Sequence, residues 1–263
     1  MTRNWRAVVR YDGTRYQGFQ VQPIGMTVQG EVERALAAVT GETVRLAGAG
    51  RTDAGVHAIG QVISFRLASA LDGAKLGRGV NALLPADIAV SDVEPVGEGF
   101  HARFSARGRT YEYRIRNASA REPLERLREL LVPQALEVDA MRAAAARLCG
   151  RRDFSAFAAG LGGERTVRRT SLWREGSLVR FEIEADSFLR GMVRGIVGTL
   201  LWVGRGKITV DRFGEILESR DRSQAGPSAA ARGLCLVAVE YGEREDGGRD
   251  AEGHEQDTRG EGE

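Results

Sequence analysis

The sequence predicts an α+β protein made of two sheet-and-helix lobes of similar size. Three observations carry that prediction. Short segments rich in β-branched and aromatic residues alternate with amphipathic helical segments. This interleaving of strands and helices occurs in both halves of the chain. Hydrophobic residues make up 42% of the 263 residues, enough to bury a sizeable core, yet no apolar run approaches the roughly 20 residues of a membrane helix.

The elements follow in order. Trp5–Tyr11 reads as a strand ending at an Asp12-Gly13 turn. Thr27 is placed to cap a helix running to about Val39, with Val28, Val32, Ala35, Leu36 and Val39 on one face and Gly41 ending it. Thr43–Leu46 and Gln61–Leu67 read as strands, residues 72–82 as a helix, and Ile88–Val93 as a further strand. Arg109–Arg116 is a strand with Tyr111, Tyr113 and Ile115 on one face. Pro123–Leu131 and Val138–Leu148 read as helices. Strands Arg168–Arg174 and Leu178–Ala185 flank a Glu175-Gly176 turn. Helices follow at about Ser187–Val203 and Val210–Ser219, and Leu234–Tyr241 is the last strand. The lobes are expected at residues 1–106 and 107–241, with residues 242–263 as a disordered acidic tail too poor in apolar groups to fold.

Charge and composition narrow the function classes. The tail holds nine acidic side chains against three arginines, so the 241 preceding residues carry 35 basic against 27 acidic groups. Such a body suits a polyanionic partner. Nearly all the positive charge is arginine, which suits phosphate forks and base stacking; genomic codon bias produces the same excess. The two cysteines, Cys149 and Cys235, lie in apolar stretches and read as buried free thiols. His57, His101 and His254 lack metal-ligand spacing. The N-terminus lacks a long apolar leader, so a cytosolic chain is expected.

Residues 48–61 read GAGRTDAGVHAIGQ, a glycine-rich loop between two strands that carries Arg51, Thr52, Asp53 and His57. Neither the P-loop nor the dinucleotide glycine pattern is present. An aspartate at such a turn often bonds only its own backbone, and the local pattern leaves both readings open. The longer strings decide between them. YDGTRYQGFQVQP at 11–23, GAGRTDAGVHAIGQV at 48–62, FHARFSARGRTYEYRI at 100–115, DFSAF at 153–157 and SFLRGMVRGIVGTL at 187–200 stand in that order, among further blocks reaching residue 241. Over residues 6–241 the chain resembles the tRNA pseudouridine synthase A family.

That resemblance implies the pseudouridine synthase fold, with an active-site cleft between the lobes. It also implies conversion of uridine to pseudouridine at positions 38, 39 and 40 of the tRNA anticodon arm, without metal or other cofactor. It assigns Asp53 as the catalytic carboxylate, Arg194 as its ion-pair partner, Tyr111 as the tyrosine against the target base, and Arg51 as the arginine that enters the RNA stem and helps evict that base. The implied partners are tRNA and a second copy of the chain, with no DNA and no membrane. His57 and His101 are expected to order loops, and Gln61 and Asn81 to support the Asp53 loop. In the Arg194 helix, Gly191, Gly195 and Gly198 share one face at a cost of about 1 kcal/mol each relative to alanine. They predict a close-packed neighbour, with the active-site loop or the substrate as the candidate. The family often has larger polar residues at 191 and 195.

Overall fold

The computed structural model describes residues 2–68 and 71–242; the expected acidic tail lies outside them, apart from Gly242. Among these residues ten strands form a single sheet. In the first half β1 (Arg3–Tyr11), β2 (Leu46–Gly48), β3 (His57–Leu67) and β4 (Ile88–Val96) accompany helices α1 (Val28–Thr40) and α2 (Gly73–Leu83). In the second half β5 (Ala106–Arg116), β6 (Leu130–Leu131), β7 (Gly150–Asp153), β8 (Glu164–Glu175) and β9 (Leu178–Ala185) accompany α3 (Val138–Ala146), α4 (Met192–Gly204) and α5 (Val210–Ser219). The last strand, β10 (Leu234–Tyr241), returns to the middle. The order is β4-β1-β3-β10-β5-β9-β8-β7, with β2 on β3 and β6 on β5. β10 runs parallel to β3 and antiparallel to β5, so the end of the chain joins the two halves.

Local signals set most of these elements. The Thr27 hydroxyl accepts from Gly30 N at 3.2 Å, and Gly41 N donates to Ala37 O at 2.8 Å, closing both ends of α1. Val28, Val32, Ala35 and Leu36 are buried along its inner face. Asp72 and Thr209 cap α2 and α5 in the same way. β9 alternates buried and half-buried residues, as a strand covered on one face does. The core is continuous from Trp5 on β1 to Leu236 on β10. Both cysteines are free and half-buried.

Several elements differ from expectation. Pro123–Leu131 is not a helix. It forms turns with bonds such as Arg128 N to Glu125 O at 2.8 Å, followed by the short strand β6. The cause is tertiary. Glu129, 4% exposed, accepts from Arg116 Nε at 2.7 Å and Nη2 at 3.0 Å, and Arg114 lies at 3.3 Å. These bonds hold the end of the segment against β5, where Leu130 and Leu131 pair with Ile115 and Arg116. Leu124 stays exposed, without an apolar partner for a helical stripe. The strand expected at Thr43–Leu46 forms instead at Leu46–Gly48, where Glu33 and Gln29 of α1 bond Leu46 N and O. α4 starts at Met192 rather than near Ser187, because Gly191 adopts a left-handed φ of 69°. β7 carries the charged string GRRD and has no apolar alternation to announce it.

The glycine face of α4 is tightly packed, but not against substrate or the active-site loop. A Cβ on Gly195 would lie 2.4 Å from Phe157 O, and one on Gly198 would lie 1.8 Å from Pro227 O. The neighbours are two backbone segments, 157–159 and 226–229. Gly226 N also donates to the buried Thr199 hydroxyl at 3.0 Å. Gly198→Ala should therefore displace the 226–229 loop and cost about 1–3 kcal/mol. Thermal denaturation would show a Tm fall on the order of 5 °C; an unchanged Tm would mean the loop yields freely.

Candidate active site

The sheet places the candidate residues before any side chain is considered. Asp53 lies in the loop between β2 and β3. Ala58, just inside β3, pairs with Leu236 of β10, which pairs with Tyr111 of β5. Tyr111 thus stands two strands from the end of the Asp53 loop, about 10 Å away. α4 supplies Arg194 from the second half. Arg194 Nη1 lies 3.3 Å from Asp53 Oδ2, and the two side chains are 25% and 32% exposed. The same guanidinium donates through Nε to Ala229 O at 2.7 Å, while Ala229 N donates to Arg194 O at 2.9 Å. The glycines of α4 admit the 226–229 loop, and that loop orients Arg194 toward Asp53.

The Asp53 loop is fastened residue by residue. Ala49 N donates to Val62 O at 2.8 Å. Gln61, fully buried, holds both sides of Gly50: its amide donates to Gly50 O at 2.7 Å, and its carbonyl accepts from Gly50 N at 3.2 Å. The Thr52 hydroxyl meets the Tyr11 hydroxyl at 2.8 Å. Thr52 O accepts from Phe19 N at 3.1 Å. Gly18, at φ 95°, lets the segment around it lie on the loop; a Cβ there would come within 2.7 Å of Thr52 O. Arg51, in contrast, is exposed and bonds no described residue. A loop locked through its backbone, presenting one arginine and one carboxylate, is organised in advance for chemistry.

Sequence reasoning missed Arg109. It is 8% exposed, and its guanidinium donates to Ala49 O, Arg103 O and Asp186 O at 2.8 Å each, and to Ala106 O at 3.3 Å. It clamps the start of the Asp53 loop to the β5 entry and to the end of β9. Phe188 was also missed as a partner of Tyr111; the rings meet edge-to-face at 4.9 Å. His57 orders its surroundings: Nδ1 accepts from Gly13 N at 3.1 Å, and Nε2 meets Leu127 O at 2.9 Å. His101 likewise accepts from Arg103 N. Asn81 lies elsewhere, tying α2 to β4 through Val90 N and O at 2.8 Å each. It does not support the Asp53 loop.

A cleft of about 1130 Å³ opens over these residues. Among the described residues six arginines line it, Arg51, Arg103, Arg109, Arg165, Arg190 and Arg194, and Asp53 is the sole carboxylate. A cationic cleft with one buried-edge acid fits a polyanion that brings a reactive centre to that acid. The profile of the family described as "tRNA pseudouridine synthase" matches residues 7–105 and 144–242. The chain is 45% identical to a tRNA pseudouridine synthase A of Acetivibrio thermocellus over 243 residues, covering 91% of this chain and all of that protein. It is 47% identical to one of Chloroflexus aurantiacus, covering 89% and 87%, and 42% identical to one of Neisseria gonorrhoeae, covering 91% and 92%. The chain belongs to the tRNA pseudouridine synthase family. Among solved structures, a chain of a Cbf5-Nop10-Gar1 complex aligns at a TM-score of 0.37 and 15% identity, over 88% of this chain and 48% of that chain.

For a pseudouridine synthase the state of the tyrosines matters. Burial pushes the Tyr111 phenol well above its ordinary value; nearby Arg109 opposes the shift and Asp53 adds to it. Tyr111 therefore stays protonated at neutral pH and enters any reaction as a phenol. All five tyrosines of the chain, Tyr11, Tyr16, Tyr111, Tyr113 and Tyr241, are raised, chiefly by burial. The unfolded chain releases these protons first, from about pH 10. Above that pH the native state binds more protons than the unfolded state, so stability falls, by up to about 1.4 kcal/mol per pH unit for each tyrosine. Urea midpoints should be level with respect to these groups below pH 9 and drop steeply beyond 10. A flat profile to pH 11 would contradict the buried phenols. Among the described residues no helix is long and apolar enough to cross a membrane.

Proposed function

We propose that the cleft converts uridines 38, 39 and 40 of the tRNA anticodon arm to pseudouridine, with Asp53 as the carboxylate acting at the ribose. The observation that carries this reading is the pairing of that lone carboxylate with Arg194 inside an arginine-lined cleft. In the reaction the N1–C1′ bond breaks, the uracil turns, C5 bonds to C1′, and the C5 proton is lost while N1 regains one. Atoms and charge balance without an external group. An ionised carboxylate serves either route at the sugar, attack on C1′ or removal of the C2′ hydrogen. Arg194, anchored to Ala229, pairs with Asp53 and holds it in place.

Tyr111 lies under the target uracil as a neutral phenol, with Phe188 fixing its ring. Arg51, free of other bonds, enters the stem and offsets part of the few kcal/mol needed to extrude the base. Arg103, Arg165 and Arg190 take phosphates and read the stem by shape. The working unit is a homodimer in the cytoplasm, with the tRNA spanning both copies.

The test is base-resolved pseudouridine mapping of an unmodified tRNA transcript after incubation with the purified protein. Conversion at 38–40 is expected. Conversion confined to other uridines overturns the site, and no conversion overturns the function. If Arg103, Arg165 and Arg190 each meet a phosphate, log affinity should fall against log salt with a slope of about −2 to −3. A flat salt response would contradict phosphate-led docking.

A further inference from the structure

The rim of the cleft holds a second constellation that the reaction above does not use. Residues 101–105 form a tight turn. Ser105 N donates to His101 O at 2.9 Å, His101 N donates to the Ser105 hydroxyl at 3.0 Å, and His101 Nδ1 accepts from Arg103 N at 3.1 Å. Ala102, fully buried, donates to the Ser64 hydroxyl at 3.0 Å and accepts from the Tyr241 hydroxyl at 2.7 Å. On this anchored turn Phe104 is 76% exposed. The His101 ring lies 4.5 Å from its centroid, and the Arg103 guanidinium lies 5.5 Å from it. Arg109 Nη2 bonds both Arg103 O and Ala49 O at 2.8 Å, so one guanidinium joins this turn to the Asp53 loop.

An exposed phenylalanine braced by a histidine and an arginine gains nothing for the fold. Its position is fixed in advance, which lowers the entropy lost when a flat partner stacks on it. The occupant follows from the charge around it: Phe104 lines the same cleft as the six arginines and the single carboxylate. Aromatic surfaces interleaved with arginines match unstacked nucleic acid, with bases on rings and phosphates on guanidinium groups. We propose that the His101–Phe104 turn is a nucleobase-stacking subsite, in which Phe104 receives an unstacked RNA base next to the reacting uridine and Arg103 takes the adjoining phosphate. The subsite rests on the RNA-modifying reading of the cleft and extends it to a second nucleotide.

The experiment compares Phe104→Ala, Phe104→Leu and Phe104→Trp for affinity to an unmodified anticodon stem-loop transcript, with Tm and sedimentation velocity measured on each. Phe104 is exposed, so all three should keep the wild-type Tm. Phe104→Ala should weaken binding roughly ten-fold, as loss of one stacked base does. Phe104→Trp should restore it, and Phe104→Leu should not, because leucine offers apolar area without a π-face. Unchanged affinity in Phe104→Ala, or full rescue by leucine, overturns the subsite. Weaker binding that tracks a changed oligomeric state assigns Phe104 to a protein interface and overturns it too. Wild-type conversion of the same transcript is read in parallel. Its absence refutes the proposed function, whereas normal conversion with unchanged Phe104→Ala binding refutes the stacking subsite alone.

Discussion

Asp53→Asn should lower the single-turnover rate of pseudouridine formation by at least about 10³-fold and leave the protein folded. The substitution keeps the shape and an oxygen acceptor for Arg194 Nη1 but removes the charge. The pair it weakens is partly solvent-exposed at 3.3 Å, and such pairs contribute about 0–1 kcal/mol, so Tm should move by no more than a few degrees. RNA affinity should hold or rise, because Asp53 is the only carboxylate among the described residues that line the cleft. Rate loss with equal or tighter binding separates a chemical role from a binding one. Activity near the wild-type level in this variant would remove Asp53 from the mechanism.

Arg109→Leu should produce the largest stability loss of any single cleft substitution. The guanidinium is buried, and it satisfies carbonyls of Ala49, Arg103, Ala106 and Asp186. Burial pushes it down from its ordinary value, yet among the described residues no carboxylate is within salt-bridge distance; its compensation comes from backbone oxygens. Leucine would leave several of those oxygens without a donor, each at about 1–3 kcal/mol. A loss of about 3 kcal/mol or more is expected, and a Tm fall of roughly 6–12 °C. The Ala49 end of the Asp53 loop would loosen at the same time, lowering the rate even well below the new Tm. Arg109→Lys keeps charge but not the fork, and should recover only part of both. A Tm within 2 °C of wild type would show that the four carbonyls find other donors.

These two residues mark what was legible in the sequence. Asp53 stood out because a glycine-rich loop with a polar cluster is visible locally, and because its surrounding string carries the family resemblance. The ends of α1 were legible for the same local reason: Thr27 and Gly41 act within one turn of themselves. Arg109 was not. It lies in an arginine-rich stretch, FSARGRTYEYRI, where nothing local tells a buried fork from a surface charge. Its role comes from carbonyls 60 and 77 residues distant. The string around Glu129 was hidden in the same way: it reads as helix, while the Glu129 carboxylate is held by Arg116 and the next two residues pair with β5. The glycines of α4 correctly announced a close neighbour. Naming that neighbour required knowing that residues 226–229 return across the helix, which no period in the sequence encodes. The placement of β10 between the halves was equally hidden, since only two residue pairs, Cys235 with His57 and Leu236 with Ala58, make its parallel junction with β3.

The central claim is that the target uridine enters the cleft between the Asp53 loop and the start of α4. Photocrosslinking tests it most directly, using an unmodified anticodon stem-loop with 4-thiouridine at position 39. Crosslinks should fall in the peptides that hold residues 48–56, Tyr111 and residues 187–194, and excess unlabelled stem-loop should compete them away. Competable crosslinks confined to segments outside the cleft, such as α2 or β7, would contradict it.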